Sequence, residues 1–158
     1  MPLEIRTGTV PDAKAICDLV RRSITECCEA DHRGDSRSIA AWLENKTTEN
    51  ATSWVQDPSA IPLVGVIDGH VVGFALSKNG ELALCYVTPE VLHRGVGKSL
   101  LYAIESRTAA QGVTTLRLDS TQTAKGFYLR NGYFATGPVV SWASMECQPM
   151  SKNLAPHQ

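Results

Sequence analysis

An α/β fold of the α+β kind is what this sequence predicts: a mixed, mostly antiparallel sheet of six to seven strands flanked by helices. Three observations lead there. Two hairpin signals, Asp68-Gly69 and Asn79-Gly80, separate three apolar, β-branched stretches. Before them, apolar residues recur at three- and four-residue steps, the period of a helix face. After them, a strand runs into a Gly-x-Gly turn and a helix, and strands and helices alternate onward.

Taken in order, residues 4–7 alternate and form a short first strand. Thr9-Val10-Pro11-Asp12 is a helix start, with a capping hydroxyl, an early proline and an acid in the first turn. Ile16, Leu19, Val20, Ile24, Cys27 and Cys28 carry one apolar face to about Glu29, and residues 31–35, with Gly34, break the helix. A second helix covers 36–45, with Ile39, Trp42 and Leu43 on one face. Residues 47–56 supply a third, short helical turn closed by Asp57-Pro58. Strands follow at 61–67, 71–77 and 82–87. Leu100, Leu101, Ile104 and Thr108 then define a helix to about Gln111, stopped by Gly112. Residues 114–118 are a strand and 124–130 a helix ending at Asn131-Gly132. Segments 133–136 and 143–148 close the sheet, and the tail after Met150 is expected to be untied.

At 158 residues, without repeats or low-complexity linkers, the chain is expected to be one domain spanning 1–158. Hydrophobic content of 43% against 20% charged residues suits a globular chain with a continuous core. Net charge is −1 and no Lys/Arg run stands out, so no nucleic-acid partner is expected. No basic stretch followed by an apolar core opens the chain, and no apolar run approaches membrane-spanning length. The expectation is therefore a cytoplasmic protein without membrane contact. Cys17, Cys27, Cys28, Cys85 and Cys147 are odd in number and show no C-x-x-C, which suits reduced, mostly buried thiols. Cys28 and His32 stand four apart on one helical face, a possible start of a metal site. A second ligand pair at zinc spacing is missing, so no metal is expected, and core packing is preferred.

The most telling stretch runs from Cys85 to Leu101. An apolar strand ends at Val87, a polar turn follows, and Gly95-Val96-Gly97 opens a helix. Free N–H groups and the positive end of a helix dipole then converge on one point, which suits a phosphate or pyrophosphate. A P-loop is one reading of Gly97-Lys98-Ser99, but five residues back from Gly97 stands Leu92 where that loop needs glycine. Pro89 removes another amide, and two hairpins precede a turn that should follow the first strand of a parallel sheet.

The alternative fits at more positions. Leu92-His93-Arg94-Gly95-Val96-Gly97 resembles the [Q/R]-x-x-G-x-[G/A] signature of the GNAT superfamily of acetyl-CoA-dependent N-acetyltransferases, with Leu92 replacing Gln or Arg. Thr121-x-x-Ala124-x-x-Phe127-Tyr128-x-x-x-Gly132-Tyr133 is similar to that family's N-x-x-A-x-x-[LF]-Y-x-x-x-G-F block, with Thr121 replacing Asn. Two motifs in this order, one helix and one strand apart, extend the resemblance over nearly the whole chain.

The resemblance implies a GNAT-type sheet splayed at its fourth and fifth strands, with acetyl-CoA as co-substrate and no metal. It assigns the coenzyme pyrophosphate to His93, Arg94, Gly95, Val96, Gly97, Lys98 and Ser99, with Thr121 nearby. It assigns the pantetheine arm to backbone groups of Cys85, Tyr86 and Val87, with Cys85 a packing residue rather than a nucleophile. Tyr128 is implied as proton donor to the leaving thiolate. Glu81, at the start of a strand like that of the histone-acetyltransferase branch, is either the general base or a solvated strand-start acid, with His32 as runner-up. Cys28, His32, Trp42, Trp54 and Trp142 are candidates to line an acceptor pocket. The expected partner is a small-molecule or protein amine, and the assembly a monomer or homodimer. A non-catalytic acyl-CoA-binding or sensor module on the same scaffold is the alternative, and a thiol or metal enzyme using Cys28 and His32 a third class.

Overall fold

In the computed structural model, which describes residues 2–154, the chain begins with β1 (Glu4–Thr7) and a 3-10 turn. Four helices follow: α1 (Ala13–Cys27), α2 (Glu29–His32), α3 (Ser36–Leu43) and α4 (Thr48–Gln56). Next come β2 (Ala60–Ile67), β3 (His70–Lys78), β4 (Glu81–Val87), α5 (Val96–Ala110), β5 (Thr115–Ser120) and α6 (Lys125–Arg130). The chain closes with β6 (Phe134–Ala135), β7 (Val140–Trp142) and β8 (Met145–Asn153).

Both hairpin signals act as expected. Asp68 and Asn79 take φ of 52° and 53°, and each is followed by a glycine at 77°, so both turns close in two residues. The sheet order is β1-β2-β3-β4-β5-β8-β6, with β7 paired to β8 off that path. Every pairing is antiparallel except β4 with β5, which is parallel and meets only at Glu81↔Arg117. Beyond that contact the two strands diverge, so the sheet is splayed between its fourth and fifth strands.

Helices cover the two faces unequally. On one face α5 and α6 lie over Leu63, Ala75, Leu116 and Met150, with Leu100, Leu101 and Ile104 fully buried. On the other, Ile16, Val20 and Ile24 of α1 pack on Val64 and Phe74. Each such side chain contributes about 1.5–3 kcal/mol when withdrawn from water. Gly73 in β3 sets the distance of α5, because a Cβ there would stand 2.6 Å from Leu100 Cδ1. Among the described residues, no helix is long and apolar enough to cross a membrane.

Four elements depart from expectation, one of them β7, an eighth strand at Val140–Trp142 where none was expected. Residues 29–32 make a further helical turn instead of a break, and the chain reverses at Arg33 and Gly34, both at positive φ. Residues 48–56 form a full helix capped by the Thr47 hydroxyl, which accepts from the Asn50 N–H at 3.1 Å. The last strand is longer than read: β8 runs to Asn153 against β5, and Met150, Ser151 and Leu154 are buried, so residues 151–154 are tied down. Residues 155–158 of the tail lie outside the described residues.

Candidate active site

The divergence of β4 from β5 opens a cleft of about 640 Å³. Its floor is β4 from Leu82 to Val87, its far wall Leu118, Asp119 and α6, and its near wall Ser23, Cys27 and Cys28 of the α1 end. The register of β3 against β4 slips between Leu76↔Leu84 and Ser77↔Leu82, leaving Ala83 as a bulge. Because β4 meets β5 only at Glu81↔Arg117, its later polar groups on that side face the gap, where the pantetheine arm is expected along Cys85, Tyr86 and Val87. Those three residues line the cleft.

At the open end stands the start of α5. Gly95 is the cap residue at φ 83°, a conformation that other residues adopt only with strain. The first regular helix bond is Ser99 N–H to Gly95 O, 3.0 Å, which consumes the Ser99 amide. The Arg94 amide is also consumed, donating to Val91 O at 3.2 Å. The amides of Gly95, Val96, Gly97 and Lys98 have no protein acceptor among the described residues, as the leading N–H groups of a helix must not. Of the seven residues expected there, these four carry the unspent amides. His93 and Lys98 line the cleft, Val96 is buried in the core, and Arg94 and Ser99 are not among the lining residues. Three basic side chains, His93, Lys98 and Arg130, line the cleft against one acid, Asp119, a balance suited to an anionic ligand.

Tyr128 lines the inner cleft from α6, is 7% exposed, and meets the rings of Phe127 and Tyr133 edge-on. Its hydroxyl neighbours the Cys85 thiol. Burial raises the phenol well above its ordinary value of 10, so it stays protonated at neutral pH. Burial likewise pushes the Cys85 thiol up to about 12, leaving it a packing group rather than a nucleophile. Thr121, where the family pattern has Asn, accepts from the Ala124 N–H at 3.0 Å and so closes the turn that precedes α6 while lining the cleft.

Other expected site residues stand elsewhere. Glu81 is half-exposed at the outer end of β4, does not line the cleft, and has its carboxylate 3.9 Å from Arg117 Nη1. Of its two expected readings, general base or solvated strand-start acid, this placement favours the second. His32 is buried with both ring nitrogens engaged, Nε2 with Ile24 O and Nδ1 with Gly34 N–H, each at 3.0 Å. It is not among the residues that line the cleft, and both bonds hold the turn after α1. Trp142 is half-exposed on β7 away from the cleft, and Trp42 packs in the core against His32. Cys28 does line the cleft, and burial pushes its thiol up to about 12. Sequence reasoning missed Ser23, Asp119, Arg130 and Asn131 as lining residues. The i, i+4 spacing of Ser23 and Cys27 was the available signal for the near wall.

A sheet splayed in this way, with an amide-lined helix start at its open end, is the architecture of an acyltransferase. The particular family follows from comparison. Residues 31–154 match the family model described as an acetyltransferase (GNAT) domain. That span is most of the chain, which therefore belongs to the GNAT acetyltransferases. The peptidyl-lysine N-acetyltransferase YjaB of Salmonella typhimurium is 28% identical over 138 residues, 87% of each chain. The amino-acid acetyltransferase of Pseudomonas syringae pv. syringae is 47% identical over 51 residues, which are 32% of this chain and 12% of that protein. The chain thus spans a small part of such longer relatives. The PaiA N-acetyltransferase of Thermoplasma acidophilum, solved with coenzyme A, shares the fold at a TM-score of 0.81 and 22% identity, over 97% of this chain and 99% of that one.

Proposed function

We propose that the protein moves an acetyl group from acetyl-CoA to an amine by direct attack of the amine on the thioester. The observation that carries this reading is the cleft itself, which joins four unspent amides at one end to a protonated, buried phenol at the other. The amides of Gly95 to Lys98, with Lys98 and His93, hold the pyrophosphate. The pantetheine arm lies along β4 and brings the thioester toward Tyr128. Coenzyme A in the Thermoplasma acidophilum relative supports this choice of co-substrate.

Transfer forms the N–C bond, passes through a tetrahedral oxyanion beside the free strand amides of β4, and breaks the C–S bond. The departing thiolate takes the Tyr128 proton. A phenol raised by burial remains competent, because the same burial acts on the sulfur: the Cys85 thiol beside it is pushed up to about 12. The acceptor arrives as an ammonium drawn by Asp119, the one acid lining the cleft, and loses its proton to water there.

The acceptor is a primary amine of a small molecule or a protein, and the lysine acceptor named for the Salmonella relative supports that class. Incubation with acetyl-CoA and a panel of amino acids, polyamines, aminoglycosides and lysine peptides, reading released thiol, tests the proposal. Turnover with at least one amine is expected. Coenzyme A binding without transfer to any amine would mark a binding or sensor module instead, and absence of coenzyme binding would overturn the reading.

A further inference from the structure

Three consecutive amides lead into α6, and side chains bind all of them. Thr121 Oγ1 takes the Ala124 N–H. The other two, Gln122 and Thr123, donate to Asp31 at 2.6 Å and 3.2 Å, one to each carboxylate oxygen, and the Thr123 hydroxyl donates to Asp31 as well. Asp31 lies on α2, some ninety residues earlier in the chain and three residues beyond Cys28 of the near wall, without itself lining the cleft. It is buried, 7% exposed, and carries no bond to its own helix through its side chain among the described residues. Its only polar partners there belong to the turn that launches the helix bearing Tyr128.

The β4–β5 splay is an opening, and strand pairing does not hold its two sides together beyond Glu81↔Arg117. A further tie comes from Ser38, whose hydroxyl donates to Ala143 O at 3.2 Å, but that bond joins α3 to the β7–β8 turn rather than to α6. The six-residue α6 is too short to hold its own place, and its angle depends on how its first turn is pinned. We infer that Asp31 is a positioning residue for acetyl transfer: its carboxylate fixes the β5–α6 turn against α2 and so sets where the Tyr128 hydroxyl meets the thioester sulfur. This rests on the reading of Tyr128 as proton donor. A misplacement of about 1 Å at such a group costs up to about 100-fold in rate.

Asp31→Asn keeps the shape but turns an amide NH2 toward one backbone N–H, so one bond becomes a clash of donors. The experiment is a double-mutant cycle of Asp31→Asn and Tyr128→Phe, reading kcat with the best amine and the coenzyme A Kd by calorimetry. Asp31→Asn is expected to lower kcat about tenfold with coenzyme Kd within about twofold. In the Tyr128→Phe background the same substitution is expected to cost nothing further, a silence that a merely destabilising change does not show. An undiminished effect in that background, a parallel loss of coenzyme affinity, or an unchanged kcat would each overturn the inference. A Tyr128→Phe enzyme with full kcat would overturn the proton-donor reading itself, and this inference with it. If Asp31→Asn does not fold, Thr123→Val, which deletes one of the three bonds, replaces it in the cycle with a smaller loss of the same pattern.

Discussion

At the scale of single residues, the proposed proton donor Tyr128 is held largely by residues outside its own helix. Cys85 fixes its hydroxyl's surroundings from below, and Tyr133 packs beside it while donating to Glu105 at 2.7 Å. Replacing Tyr128 by Phe retains the ring and its edge-on contacts and deletes only the proton. The expected result is a kcat lower by about 10²–10⁴ with coenzyme affinity unchanged. Rapid-quench turnover, measured where chemistry limits the rate, checks it, and full activity would leave Tyr128 a core residue. Glu81→Gln, by contrast, should leave kcat within about twofold at every pH, because that carboxylate faces Arg117 and solvent. The resemblance to the family block singled out Tyr128, and the structure sets it on α6 in the lining of the cleft. Asp31 was not readable as its partner. Nothing local links positions 31 and 123, and an acid beside a histidine and a glycine reads as turn chemistry until the fold brings its acceptor oxygens to two amides.

At the scale of elements, the proposed anion site at the start of α5 makes its own prediction. Gly97 lies on the cleft, where an added Cβ would meet the Phe127 ring at 3.6 Å, an ordinary contact. Gly97→Asp should therefore fold. An acid in the first turn of a helix is even stabilising, since it answers the exposed amides itself. That is why it should abolish binding: the carboxylate occupies the anion site and repels the pyrophosphate. Calorimetry is expected to show coenzyme A affinity reduced about 100-fold or more with an unchanged or raised Tm. A variant that binds normally would move the anion site away from α5.

The same scale shows why some elements were legible and others not. The Gly-x-Gly turn and both hairpins announce themselves because positive φ demands particular residues. The end of β8 did not, since Pro149 reads as a strand breaker. It is tolerated because its C=O accepts from the Thr136 N–H at 3.0 Å, so its missing donor falls on the β6 side, where only Phe134–Ala135 pair. The β5 side of the ladder, which holds the far wall of the cleft, is untouched.

Over the whole molecule, the two halves of the sheet are joined through few contacts at the splay, so stability must come from how each half is anchored. The N-terminal half has a clear electrostatic anchor. Asp12, 9% exposed at the entrance of α1, accepts from Arg6 Nη1 and Nη2 at 2.8 and 3.0 Å and from the Thr9 N–H and hydroxyl at 2.8 and 3.0 Å. One carboxylate thus fastens β1 to the first helix. The Arg6 guanidinium, helped by the Thr9 donors and opposed by burial, holds its pKa down at about 2. Lys78, with Ser59, holds the more exposed Asp57 down at about 2 as well, tying the α4 exit to the end of β3. An unfolded aspartate titrates near 3.9, so both contributions are complete above about pH 4. As pH falls from about 4 toward 2 the unfolded chain takes up protons first, and the stabilisation disappears through that window. Asp12→Asn removes the larger, buried part of it. Thermal melts followed by circular dichroism should show the variant below wild type in Tm at pH 7, with the gap constant to about pH 5 and closing from about 4 to 3. A gap that stays constant through pH 3 would mean that Asp12 acts by shape and capping alone. It would then leave the ion pair with Arg6 without a share in holding β1 against the first helix.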